Sequence, residues 1–324
     1  MTRRYRPVDL GKLKTYAIRD RAHKFDIEAM AVLPPKSASF RDWFDALPPY
    51  LGVRELRAVV DAVAAARRAD RPVVFALGAH VVKVGCSPII CDLIERQIVT
   101  AIAMNGATAI HDVEVATIGQ TSEEVGDTIN DGSFGMVEET PKFFADALGK
   151  GDQKGASDEI GLGAVLGDSL NRIKAPNIDK SILATAARAG VPVTVHVALG
   201  TDTIHMHKLV AESDLGRLST VDFRLICDVL GDCASAKAGQ PGGVWCNIGS
   251  AVILPEVFLK AIAVARNLGN NLDELVTANF DMIRHYRPSQ NVIGRSVKPG
   301  HGHHVTGHHE IMLPLLRQAL IEIM

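Results

Sequence analysis

His111, Asp112 and Glu114 stand in a single His-Asp-x-Glu run directly behind Asn105-Gly106. An imidazole beside carboxylates can move a proton or hold a cation. Alternatively, the two acids sit in a helix's first turn, where the backbone dipole favours negative charge. Neighbouring positions on a helix point in different directions, so these three side chains do not all face one site. A second polar group is Asp202 with His205 and His207. An H-x-H pair with an acid ligates zinc or iron; the competing reading is an Asp N-cap followed by two partly exposed histidines. Five histidines fall within His301–His309, and Glu310 follows them. The interleaved glycines there give no fixed ligand spacing, so a mobile lid or subunit-contact loop is expected.

The elements that must hold these groups follow from hydrophobic periodicity. Apolar runs at 72–77 and 99–104 read as strands, as do 191–197, 243–248 and 275–280, and helical patterns precede the five at 54–68, 87–97, 178–189, 220–230 and 255–268. Each strand run stops at a glycine or a polar residue. Gly78-Ala79-His80 follows the first, with Lys83 and Gly85 beyond. Asn105-Gly106 follows the second, Gly200 and Asp202 the third, Gly249-Ser250 the fourth and Asp281 the fifth. Alternating helices and strands predict an α/β protein with a doubly wound, mostly parallel sheet. In such sheets ligands bind outside the carboxyl ends of the strands. Tight strand-to-helix loops at Gly78 and Gly249 suit an anion, and Glu256 lies near the start of the following helix. Gly161-x-Gly163-x-x-x-Gly167 has neither the spacing nor the preceding strand of a nucleotide loop.

The chain has 324 residues, 47% hydrophobic, and a net charge of −2 with both signs interspersed. That balance carries no electrostatic footprint for nucleic acid. No apolar run approaches the ~20 residues of a membrane-spanning helix. The basic but non-hydrophobic start is unlike a secretory signal. Five cysteines without CxxC spacing fit reduced thiols, so a cytoplasmic protein is expected. Residues 1–50, with Pro34-Pro35 and Pro48-Pro49, lack sustained periodicity and read as an N-terminal arm. Residues 51–324 read as one domain.

Residues 55–285 resemble deoxyhypusine synthase in collinear order. The likeness is carried by the loop from Ala79-His80 to Gly85, by Met104-Asn105-Gly106-Ala107, and by Val191–Asp202. It continues through Ile248–Lys260 and Thr277-Ala278-Asn279-Phe280-Asp281. The resemblance implies a Rossmann-like fold, bound NAD and a homotetramer. It places Gly78, Ala79, His80, Gly85, Asn105, Gly106, Gly249, Ser250 and Asp281 at the cofactor. That family captures its aminobutyl intermediate on a lysine after a glycine-rich loop. Here the loop is Gly249-Ser250-Ala251-Val252-Ile253 and Leu254 follows, which forms no imine. A true deoxyhypusine synthase is therefore not expected.

Asn105–Glu114, followed by Gly119-Gln120-Thr121-Ser122, also resembles a stretch of NAD-dependent ornithine cyclodeaminase domains of the LOR/SDH type, which oxidise an amino-acid C–N bond. The combined expectation is an NAD-dependent enzyme acting on a small amine or amino acid. His111 and Asp112 are the acid/base pair, and Asp202 and Glu256 hold a cationic amine. Two other readings compete. One is a metal-dependent hydrolase or lyase built on the histidine clusters; the other is a ligand-binding homologue without catalysis.

Overall fold

The structure, a computed structural model, describes residues 5–151 and 159–324. Two compact units divide the chain, Met1–Pro49 and Tyr50–Met324. In the first unit, short 3-10 turns at Leu10–Lys12, Ile18–Asp20 and Ile27–Ala29 precede one helix, α1 (Phe40–Asp45). Ser39 and Asp42 close α1 with a reciprocal capping box. The first four residues, part of the basic start, lie outside the described residues.

The second unit is built on six strands in the order β3-β2-β1-β4-β5-β6, every neighbouring pair parallel. They are β1 (Val73–Leu77), β2 (Ala101–Asn105), β3 (Val193–His196), β4 (Val244–Ile248), β5 (Val276–Asp281) and β6 (Gly302–Thr306). This is the strand order of a doubly wound dinucleotide-binding sheet, and its direction of growth reverses between β1 and β4. The central strands β1 and β4 are buried along their whole length. β1 therefore reads as an unbroken apolar run, and β4 as one interrupted by Asn247, instead of alternating.

Helices complete the layers. α2 (Leu51–Arg68) precedes β1, and α3 (His80–Lys83) and α4 (Ser87–Glu95) connect β1 to β2. α5 (Gly106–Ile118), α6 (Val125–Asp131), α7 (Glu139–Gly151), α8 (Leu162–Ile173) and α9 (Ile182–Ala189) lie between β2 and β3. α10 (Glu212–Asp232) leads to β4, α11 (Ile253–Asn267) to β5, and α12 (His309–Ile323) ends the chain. On one face, Val74, Ala76, Ala103 and Trp245 pack against Ile226 and Leu230 of α10 and Phe258 and Ile262 of α11. The Trp245 and Phe258 rings sit 4.7 Å apart at the centre of this cluster. Fully burying side chains of this size contributes about 1.5–3 kcal/mol each, which makes this face the rigid floor beneath the strand ends.

Two features differ from the sequence reading, and a third has no counterpart in it. His301–His309 is not a loop, because residues 302–306 form β6 in parallel register with β5, from Thr277↔Gly302 to Asp281↔Thr306. Gly302 is required there, since a Cβ would lie 2.6 Å from the Ile293 carbonyl oxygen. α10 begins at Glu212, eight residues earlier than its apolar periodicity indicates. Finally, Asp222 of α10 is wholly buried and accepts from the amides of Gly163 (2.9 Å) and Val195 (2.7 Å). It thus ties the first turn of α8 to β3, and Gly161 leaves the space its carboxylate fills. The glycine-rich 161–167 segment is a helix start, in agreement with its departure from nucleotide-loop spacing.

Candidate functional site

At the carboxyl ends of β1, β2 and β3 the molecule opens into a cleft of about 870 Å³. That volume lies within the usual range for small-molecule sites. Lys83 of α3, His111 and Glu114 of α5, and Asp202 of the β3–α10 loop line it, with Thr121 and Glu123 from the stretch after α5 and Glu139 and Thr140 at the start of α7. The walls carry four carboxylates against one lysine. Lys83 forms no salt bridge among the described residues and faces this acid-rich lining as an exposed cation.

α5 is the element that aims the central pair. Asn105 caps it, accepting from the Thr108 amide at 2.8 Å, and Gly119 ends it in the left-handed conformation at φ 75°. Three-residue spacing places His111 and Glu114 on the same helical face. His111 Nδ1 lies 2.6 Å from Thr121 Oγ1 and 3.7 Å from Glu114 Oε2. The Thr121 hydroxyl donates to Glu114 Oε2 at 2.5 Å, and the Thr140 hydroxyl donates to Oε1 at 2.9 Å. Burial pushes the Glu114 carboxyl up, but the hydrogen bonds from His111, Thr121 and Thr140 outweigh it and hold the group below the usual range.

Asp202 is buried beside the start of α5. A Cβ on Gly106 would lie 2.0 Å from its Oδ2, so glycine is needed for the carboxylate to approach the helix. Asp202 accepts from the Ala198 amide at 3.3 Å, and burial raises its pKa. His205 sits nearby with both ring nitrogens buried and unpartnered. His207 instead bonds the Gly135 carbonyl through Nε2 at 2.9 Å.

A second concentration of groups occupies the reversal point between β1 and β4. Gly78 and Gly249 meet so closely that a Cβ on Gly78 would lie 2.0 Å from the Gly249 carbonyl oxygen. Gly249 has φ 67°, and His309 Nε2 lies 3.1 Å from where its Cβ would project. His309 in turn has its ring 5.4 Å from that of His80. Ser250 is buried and accepts from the Leu254 amide at 3.2 Å. Asn247 donates to the Ser250 carbonyl at 2.9 Å and to Asn279 Oδ1 at 2.7 Å, fixing the loop between β4 and α11 from below.

The residues singled out from sequence therefore separate into groups. His111 and Asp202 line the cleft. Gly78, Ala79, His80, Gly249, Ser250 and Asp281 gather at the ends of β1, β4 and β5. Gly85 takes φ 77° just after α3, and Asn105 and Gly106 form the start of α5, where the Asn105 oxygen is engaged in capping. Asp112 is a correction. It is wholly buried and accepts from Ser181 Oγ (2.6 Å) and the amides of Ile182 (2.8 Å) and Leu183 (3.1 Å). It caps the start of α9 and does not line the cleft. Glu256 is a second correction. It is engaged by Lys260, by Arg287 Nε at 3.1 Å and by Asn291 Nδ2 at 3.0 Å, so it is not free to hold an amine. Glu114, and not Asp112, lines the cleft beside His111.

The histidine clusters do not converge. His303 pairs with Glu55 at 2.8 Å, His301 faces the Leu275 carbonyl and His309 faces that of Phe280. Among the described residues no group of three or more His, Cys, Asp or Glu side chains is placed to hold a metal. No described helix is long and apolar enough to cross a membrane.

No protein-family model and no curated protein matches the sequence. Solved structures match its fold. An LOR/SDH protein from Methanococcus maripaludis superposes with TM-score 0.51 at 13% identity, over 96% of this chain and 76% of that one. A protein described as a deoxyhypusine synthase from Entamoeba histolytica gives TM-score 0.51 at 12% identity, over 93% and 97%. AgrE, in a ternary complex with ornithine and NAD+, gives TM-score 0.49 at 14% identity over 83% of this chain; the chain spans only 33% of AgrE's length. These are likenesses of fold, and they include both families that the sequence resembles.

Proposed function

We propose that the protein is an NAD-dependent enzyme that oxidises a C–N bond of a small amine or amino acid, with the acid-lined cleft as its substrate site. The observation that supports this most is the placement of His111, Glu114 and Asp202 around one cleft. An excess of carboxylates favours a cationic substrate, and His111 is the group placed to take its proton.

The reversal point fits a dinucleotide pyrophosphate. Gly78-Ala79-His80 and Gly249-Ser250-Ala251 contain no carboxylate, bear small side chains apart from His80 and lead into helices. The start of α5 does not fit one, because Asp202 already occupies it. On this reading Gly78, Ala79, His80, Gly249 and Ser250 hold the cofactor, which supplies hydride acceptance when bound. His80 and Lys83 lie at opposite ends of α3, about 4.5 Å apart along its axis. That geometry lets one ligand extend from the loops into the cleft. The resemblance to deoxyhypusine synthase adds the expectation of a homotetramer, which light scattering checks.

The deciding measurement is a calorimetric titration of the metal-stripped protein with NAD, followed by absorbance assays for NADH with ornithine, polyamines and other amines. Micromolar binding and amine-dependent NADH formation support the proposal. Absence of binding at millimolar NAD overturns it.

A further inference from the structure

The contacts around Thr121 fix the direction of every proton in them. Glu114 is ionised at neutral pH, and an ionised carboxylate accepts without donating. The Thr121 hydroxyl has one proton, and its 2.5 Å contact with Glu114 Oε2 requires that proton. Thr121 Oγ1 therefore accepts in its 2.6 Å contact with His111, and Nδ1 must carry hydrogen. In the neutral ring Nε2 is then a bare lone pair. Among the described residues Nε2 makes no hydrogen bond, and it is not one of the buried polar atoms sealed from solvent. It is left to the cleft that His111 lines.

We infer that Thr121 is a positioning residue that holds His111 in the tautomer of a general base, linking the imidazole to the Glu114 carboxylate through a hydroxyl. Thr140 fixes the far oxygen of Glu114, so the carboxylate keeps the orientation that receives the Thr121 proton. In the step this serves, the substrate nitrogen gives up a proton to the Nε2 lone pair. The ring becomes an imidazolium, Nδ1–H stays on Thr121, and Glu114 balances the new charge without accepting a proton. Ser122, at φ 70°, turns the chain immediately after Thr121.

The kinetic part of this inference rests on the function proposed above, but the tautomer does not. The test therefore begins without substrate, on the full chain labelled with 15N-histidine. Two-bond 1H–15N correlation reports which ring nitrogen is protonated, and His111→Gln identifies the resonance. The neutral His111 ring should be the Nδ1–H form in the wild type and in Thr121→Ser, and should shift towards the Nε2–H form in Thr121→Val. An Nε2–H ring in the wild type, or an unchanged Thr121→Val spectrum, overturns the inference. With an amine substrate in hand, Thr121→Val should lower kcat at least about tenfold with KM little changed, and Thr121→Ser should restore it. Equal losses in both variants overturn the relay. If no NAD-linked turnover exists, the spectra still decide the tautomer, so the two ideas fail separately.

Discussion

The two halves of the sheet use the same kinds of residue differently. At the ends of β1, β2 and β3, Lys83, His111, Glu114 and Asp202 surround open space. Among β4, β5, β6 and α11, polar groups engage one another: Asn247 with Asn279, His303 with Glu55, Glu256 with Lys260 and Arg287. The histidine-rich stretch 301–309 thus lines no part of the cleft, whereas His111 does. Density of reactive side chain types in a sequence is a poor guide to a site; what distinguishes one is a group whose partners leave an atom unengaged.

His111→Ala tests this division most severely. Turnover should fall about 10²–10⁴-fold while NAD affinity stays nearly constant, read by NADH absorbance and calorimetry. Undiminished turnover removes the cleft from the chemistry. Gly78→Ala probes the seam between the halves. The new Cβ would meet the Gly249 carbonyl, so the loops must part. A cost of about 1–3 kcal/mol and a clear loss of NAD affinity are expected, visible in thermal melts and titration. Glu256→Gln should have the smallest effect. Its ion pairs are largely solvated, so stability should change by no more than about 1 kcal/mol, with kcat nearly unaltered. A large loss of turnover would show that Glu256 takes part after all.

Much of the scaffold is legible in the sequence. β1 and β2 announce themselves as nearly continuous apolar runs, and β3, β4 and β5 through the helical pattern that precedes each. β6 does not, because Gly302-His303-His304 lacks any such run and becomes a strand only through its register with β5. Within the site, the one-turn spacing of His111 and Glu114 is visible, and it already separates Asp112 from them. The role of Asp112 is not visible, because its partners Ser181, Ile182 and Leu183 lie about seventy residues onward. Thr121 and Thr140 are hidden for a related reason: hydroxyls carry no pattern, and only folding brings both to Glu114. The ties that close Glu256 are split in the same way, Lys260 being a helical neighbour and Arg287 a distant one.

Asp112 and Asp222 each fasten a helix start from a neighbouring element, and burial raises their pKa values to about 6 and about 7. In the unfolded chain both groups ionise near the ordinary aspartate value. Their contribution to stability is therefore complete below that value and is lost as pH rises through about 6 to 7. Folding at neutrality consequently draws protons out of solution. The heat of unfolding at neutral pH should then differ between phosphate and Tris, because whichever buffer is present must absorb the protons that α9 and α8 release when they come apart.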